Sequence, residues 1–315
     1  MTVDNLGYYN RIDAAGKRDM IHALLKDMEL KQVCDYGCNT GLMSKGQGLD
    51  VDAYDMIEGV KEEKGWRYHL EDITKLRYFK KCDAVLFLSL FHHLLAADKT
   101  KAYELFYRLL LSCKYLIFDC GNLSEPGSAW TSWSKFQKTQ FKNEKELLDS
   151  FGVPYVKHRS WNICGGQRTI VVFKSEDLKF KVVERFRRPL EDYTMQLIKY
   201  GATDIRAEPS IQFYKLELPN GTTLFSKLRS TKDREAAELQ NIEKVYTAKK
   251  FPTKLIVYYG FSEKYGIMFK WTEFDRINRV SSNPPIQKFM EDNFELEDCD
   301  FMYFKDKTYM FDFER

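Results

Sequence analysis

The stretch Val33-Cys34-Asp35-Tyr36-Gly37-Cys38-Asn39-Thr40-Gly41 constrains this chain more than any other. It reads as a short buried strand that runs into a Gly-rich turn and then a helix. In an open parallel α/β sheet, the first strand-to-helix turn is where a nucleotide-like ligand docks. Gly37 and Gly41 permit a tight turn and close approach of backbone to ligand. The spacing is D-x-G-x-x-x-G, not the dinucleotide G-x-G-x-x-G, so a pyrophosphate is not the expected guest.

The surrounding chain has the pattern of such a sheet. Met20, Ile21, Leu24, Leu25 and Met28 recur at spacings of three and four, which predicts a helix over 13–28 with Lys17, Arg18 and Lys26 toward solvent. Strands are expected at 32–35, 51–56, 67–70, 83–88 and 115–119. The run Ala84-Val85-Leu86-Phe87-Leu88 is continuously apolar, as in a parallel strand buried on both faces. Helices are expected over 102–111 and 145–151, and a closing antiparallel pair at 161–166 and 168–173. Glu125-Pro126-Gly127-Ser128 marks a turn-rich loop.

Composition excludes several classes. The 315 residues are 44% hydrophobic and 30% charged, with 49 basic against 46 acidic residues. That excess is too small for a dominant nucleic-acid footprint. No apolar run reaches the roughly 18 residues of a membrane span, and Met1–Asn10 has no signal-peptide core. Seven scattered cysteines without a C-x-x-C pair suggest reduced thiols and a cytoplasmic protein. Cys34 and Cys38 flank the turn, but no second Cys/His pair has metal-ligand spacing, so no metal is expected in this half.

Four motifs occur in order. Asp35 to Gly41 comes first. Asp55 follows twenty residues after Asp35, where a Rossmann-like unit places its ribose-binding acid, with Asp50 as the alternative. Asp72-Ile73 is next, then Ser89-Leu90-Phe91-His92-His93 at the end of the fourth strand. Together they resemble the class I S-adenosylmethionine-dependent methyltransferases, over roughly residues 15–175. The resemblance implies a Rossmann-like sheet and S-adenosylmethionine as cofactor. It places Asp35, Gly37, Cys38, Asn39 and Gly41 at the amino-acid end, helped by a helix N-terminus. Asp55 falls at the ribose, Asp72 and Ile73 at the adenine, and Ser89 beside the methyl donor. Imidazole titrates near neutrality, so His92 or His93 is a candidate base for a hydroxyl acceptor, the other being a packed residue.

Ser89 to His93, Glu125-Pro126…Trp130 and Gly165 to Ile170 are further similar to the methyltransferase half of bacterial O-antigen methyltransferase–kinases. This implies a glycan or phosphosugar acceptor, with Arg168 and Trp130 as substrate contacts. The second half suits that resemblance as a reduced kinase-like α+β domain over 201–315, after a methyltransferase domain over 1–175 and a linker helix over 176–200. Pro219-Asn220-Gly221 marks a hairpin. Lys227 falls at the phosphate-binding lysine, Glu235 or Glu238 at its partner, and Asp312 in Asp312-Phe313-Glu314 at a metal-binding acid. Asp300 and Glu295 fall near the second metal ligand and the catalytic acid. ATP and magnesium would follow. A Gly-rich loop before Ile211 and an H-x-D motif are absent from the sequence, which weakens kinase chemistry. Two other readings remain: an RNA ribose methyltransferase with Lys17 as its lysine, and a non-catalytic binding scaffold.

Overall fold

The chain divides into two compact units, Met1–Lys179 and Phe180–Arg315. The computed structural model describes residues 14–121, 132–163, 166–186, 211–229, 231–248, 254–271, 276–279, 288, 292, 298–304 and 307–314.

The first unit is a seven-stranded sheet with helices on both faces. Its strands are β1 (Gln32–Tyr36), β2 (Asp50–Asp55), β3 (Trp66–Leu70), β4 (Cys82–Leu88), β5 (Cys113–Asp119), β6 (Tyr155–Ile163) and β7 (Gly166–Lys174), in the order β3-β2-β1-β4-β5-β7-β6. Strands β1 to β5 are parallel, and β7 runs antiparallel to both neighbours. This is the class I methyltransferase arrangement that the motif order implies.

The apolar run of β4 explains why it sits centrally. Leu86 and Leu88 join a core with Ile21, Leu24 and Leu25 of α1 (Ala14–Asp27). Phe87 instead packs edge-on against Phe91 of α2 (Phe91–Ala97), on the other face. There α3 (Lys99–Leu111), capped by the Asp98 carboxylate at the Lys101 N–H, lays Phe106 on Phe151 with ring centroids 3.8 Å apart. Helices α4 (Ser132–Gln140) and α5 (Glu144–Asp149) complete the unit.

Three local expectations are corrected. No helix follows the Gly-rich turn: residues 37–49 are successive turns leading directly into β2. Gly46 and Gly48 have φ of +76° and +67°, outside helical space, and thirteen residues leave little room for a helix and two connections. Lys17 does not face solvent but is 4% exposed. Residues 132–140 are helical where no helix was expected.

The second unit is α+β. Strands β8 (Lys181–Phe186), β9 (Ile211–Glu217), β10 (Thr223–Arg229), β12 (Tyr258–Ser262) and β13 (Gly266–Lys270) form an antiparallel sheet in the order β12-β13-β10-β9-β8. Helix α6 (Lys232–Thr247) follows β10. Strands β11 (Lys254–Leu255), β14 (Arg276–Arg279), β15 (Asp298–Phe304) and β16 (Lys307–Glu314) form a second sheet in the order β11-β16-β15-β14. Gly221, with φ of +82°, closes the β9–β10 hairpin where the Asn-Gly pair predicts it. Of the expected linker helix over 176–200, residues 176–177 belong to a 3₁₀ turn and 181–186 are a strand, and 187–200 lie outside the described residues.

Candidate functional site

The carboxyl ends of β1, β2, β4 and β5 gather the first unit's polar residues. Asp35 is buried and accepts a hydrogen bond from the Ser44 hydroxyl at 2.6 Å, whose oxygen in turn accepts from the Trp66 indole N–H at 2.9 Å. Burial pushes the Asp35 carboxyl up to about 7. The Ser44 bond and the Lys17 charge oppose that rise, and the Asp55 charge adds to it. After Tyr36 the chain turns sharply. Gly37, Asn39 and Gly41 have φ of +83°, +54° and +86°. The Tyr54 carbonyl accepts from the Gly37 and Cys38 N–H groups at 2.8 and 3.2 Å. Their positive φ disfavours a side chain at both glycines; a Cβ at Gly41 would also lie 2.5 Å from the Trp66 ring, and one at Gly37 2.8 Å from the rotatable Leu90 Cδ2.

Asp55 ends β2 and holds this turn, its carboxylate accepting from the Asn39 N–H at 2.8 Å and the Met56 N–H at 2.7 Å. Asp50 lies at the opposite, amino end of β2, 2.5 Å from the Arg67 guanidinium. Asp52, between them, takes Arg67, His69 and Lys80. Asp50 therefore braces β2 against β3 at the end away from the turn, whereas Asp55 lies at the turn itself. Asp72 follows β3 and closes a 3₁₀ turn, accepting from the Thr74 N–H at 3.0 Å, with Lys75 3.0 Å away; Ile73 beside it is buried.

S-adenosylmethionine carries an ammonium, a carboxylate, two ribose hydroxyls and an adenine. Asn39 Oδ1 is buried and has no hydrogen-bond partner among the described residues. A buried acceptor left without a donor is costly, and the cofactor's ammonium is such a donor. The turn backbone and Asp55 are compatible with the same group. The helix N-terminus expected to help is not there. Cys38 is buried, and that burial raises its thiol so that it stays protonated. No group of three potential metal ligands occurs among the described residues.

Beyond the turn lies a cluster only partly legible in the sequence. Ser89, at the end of β4, has φ of +57°. Its N–H and hydroxyl both donate to Asp119 Oδ1, at 2.5 and 2.9 Å. Lys17 from α1 lies 2.6 Å from Asp119 Oδ2 and donates to Ser89 Oγ at 3.1 Å. Arg168 from β7 donates to the same Oγ at 2.9 Å. Lys17, Asp119 and Arg168 are 4%, 0% and 2% exposed. Burial alone would raise the Asp119 carboxyl, but Lys17 and Arg168 hold it below its ordinary value. Asp119 was missed because it reads as an ordinary strand-end acid. Its signal was a lone carboxylate closing the apolar run Tyr115 to Phe118.

The two histidines separate. His92 is buried, and its Nδ1 accepts the Gly121 N–H at 2.8 Å. An imidazole that accepts at Nδ1 is neutral and carries its proton on Nε2. From α4, the Gln137 side chain donates to the Gly121 carbonyl at 3.0 Å and steadies that contact. His93 is exposed, with its ring centroid 4.2 Å from that of His92. Trp130 lies outside the described residues.

In the second unit, Lys227 of β10 lies 3.1 Å from Glu238 of α6, and Arg229 reaches the other Glu238 oxygen at 2.5 Å, all three deeply buried. Of the two candidate glutamates, Glu238 lies in ion-pair contact with Lys227. Asp312 lies on β16 directly across from Asp300 on β15, with the register shifting just beyond the pair. Glu295 lies outside the described residues.

No family model matches the chain, and no curated protein does. Among solved structures, the bifunctional kinase-methyltransferase WbdD aligns at 13% identity and a TM-score of 0.41, covering 96% of this chain and 74% of that one. Magnesium protoporphyrin IX methyltransferase (ChlM) from Synechocystis PCC 6803, with bound S-adenosylmethionine, aligns at 16% identity and a TM-score of 0.37, covering 51% and 78%. The N-methyltransferase NodS from Bradyrhizobium japonicum WM9, in complex with S-adenosylhomocysteine, aligns at 10% and 0.39, covering 54% and 92%. In other structures of WbdD the aligned part falls to 57% of that chain.

Proposed function

We propose that this chain is an S-adenosylmethionine-dependent O-methyltransferase whose acceptor is a glycan or phosphosugar hydroxyl or phosphate oxygen. One observation carries the cofactor reading: the turn after β1 is drawn against the end of β2 by Asp55 and leaves the Asn39 amide oxygen buried without a donor among the described residues. When bound, S-adenosylmethionine supplies a methyl group made electrophilic by its sulfonium. Asp35 supports the turn through Ser44. Asn39, Gly37 and Gly41 take the amino-acid end, Asp55 the ribose hydroxyls by charge-assisted hydrogen bonds, and Asp72 and Ile73 the adenine. Ser89 lines the donor side. His93, exposed beside the neutral and buried His92, takes the acceptor's hydroxyl proton as its oxygen attacks. Arg168 and Trp130 serve the acceptor side.

Calorimetric titration with S-adenosylhomocysteine tests the cofactor site. Asp35→Ala and Asp55→Ala are each expected to weaken binding at least about tenfold; unchanged affinity in both removes the assignment. The His93→Ala variant is expected to lose about 10²–10⁴-fold in turnover, the range of general acid–base catalysis, and with it the acidic limb of the pH–rate profile. Transfer of labelled methyl to fractionated cell glycans, lipids and RNA identifies the acceptor. Label confined to RNA would favour the ribose methyltransferase, for which the burial of Lys17 beside Ser89 is the relevant observation.

For the second unit we propose a reduced kinase-like domain that binds ATP and magnesium. The buried Lys227–Glu238 pair supports it, as does the register that sets Asp300 opposite Asp312. An ion pair between a strand lysine and a helix glutamate is how kinases place the lysine on phosphates. A thermal shift with magnesium and ATP is expected, and Lys227→Ala and Asp312→Ala are expected to abolish it. A shift that survives both variants rejects the site.

A further inference from the structure

Ser89 is one of three non-glycine residues with positive φ among the described residues, and the only one of the three that closes a central strand. The left-handed conformation is unfavourable for an L-residue, and it persists only where the surroundings impose it. Here the surroundings are known. The buried Asp119 carboxylate takes the Ser89 N–H and hydroxyl together, and the Asp119 carbonyl accepts the same N–H at 3.2 Å. Lys17 and Arg168, arriving from α1 and β7, donate to the hydroxyl from other directions. The reversed backbone at Ser89 sets the next residue, Leu90, over the cofactor turn, its Cδ2 2.8 Å from where a Cβ on Gly37 would sit.

We infer that Asp119 is a positioning residue for the cofactor site: it imposes the left-handed backbone at Ser89 that holds Leu90 against the Gly37 turn. This inference rests on the methyltransferase reading above. Lys17 and Arg168 hold the Asp119 carboxylate and the Ser89 hydroxyl in one arrangement. A carboxylate accepting two hydrogen bonds from one residue fixes that residue's backbone as well as its side chain, which an isolated ion pair does not do. Asp119 therefore acts on the cofactor through Ser89 and Leu90 without touching it.

The test is a set of cycles read by calorimetry with S-adenosylhomocysteine on the full chain. Asp119→Asn is expected to weaken binding about tenfold, the equivalent of about 1.4 kcal/mol. In a Ser89→Gly background, where the left-handed backbone needs no support, the same substitution is expected to cost less than about twofold. In a Ser89→Ala background, which removes the hydroxyl but keeps the backbone penalty, the tenfold cost is expected to remain. Equal losses in the Gly and wild-type backgrounds, or no loss in wild type, overturn the inference. Should Asp119→Asn fail to fold, Ser89→Val and Ser89→Gly are compared with Asp119 intact. Valine strongly resists positive φ and is expected to bind about tenfold more weakly than glycine; equal affinities overturn the inference. If the unmodified chain does not bind S-adenosylhomocysteine, the cofactor reading fails and this inference with it. If it binds but the cycles show no dependence on residue 89, only the positioning role fails.

Discussion

Asp35 shows how one buried carboxyl ties the turn to pH. Its folded-state pKa is raised from 3.8 to about 7, chiefly by burial. Below pH 4 the group is protonated whether the chain is folded or not. Between about pH 4 and 7 the unfolded chain gives up the proton while the folded chain keeps it, so stability falls as pH rises through that window. Above about 7 both states are ionised and the loss is complete. Asp35→Asn removes the titration while an amide oxygen still accepts from Ser44. The ligand-free variant is therefore expected to melt at a higher temperature than the parent at pH 8, with the gap narrowing as pH falls toward 4. Thermal melts across pH 4–8 check this. A gap that is constant or widens on acidification would show that burial does not hold Asp35 protonated. The same variant is expected to bind S-adenosylhomocysteine less tightly, because the carboxylate is kept in this unfavourable place for the site and not for the fold.

At the level of elements, the strands were legible because their patterns are unambiguous. Ala84 to Leu88 can satisfy burial on both faces only in the middle of a sheet, and that is where β4 lies. The turn residues Gly37 and Gly41 were legible because few other residues adopt their backbone angles. Lys17 was not: on the helical pattern it falls beside charged Arg18, and its burial depends on the distant Asp119 and Ser89. Long-range electrostatic partners leave no local trace. The missing helix after β1 is the converse case, in which family expectation outran thirteen Gly-rich residues. Helix α3 and α5 owe their seating to a cluster of rings that the sequence offers only as scattered aromatics. Phe151 is wholly buried, stacks on Phe106, and meets Phe91, Phe118 and Phe173 edge-on. Phe151→Ala is expected to destabilise the first unit by about 3–5 kcal/mol, the usual cost of emptying such a site. Urea unfolding followed by circular dichroism measures it. A cost below about 1 kcal/mol would mean that the ring cluster does not hold α3 and α5 to the sheet.

For the whole molecule, the boundary between Lys179 and Phe180 makes a separate claim. The turn from Asp35 to Gly41, Asp55, Asp72, Ser89, the two histidines, Asp119 and Arg168 all belong to the first unit. So do both halves of its core, the α1 face around Leu86 and the aromatic face around Phe87. The charged stretch after Lys174 divides there: residues 175–177 form a 3₁₀ turn in the first unit, whereas β8 pairs with β9 in the second. A cut after Lys179 breaks no strand pairing of the seven-stranded sheet. Residues 1–179 alone are therefore expected to fold cooperatively and to bind S-adenosylhomocysteine within about threefold of the full chain, since affinity resides in the groups that touch the ligand. Turnover on the true acceptor is a different matter. If the second unit helps select the acceptor, the fragment's KM for it rises while cofactor affinity holds. If the second unit only accompanies the first, both constants stay put. Loss of cofactor binding in a fragment that still melts cooperatively would refute the assignment of the whole cofactor site to residues 1–179.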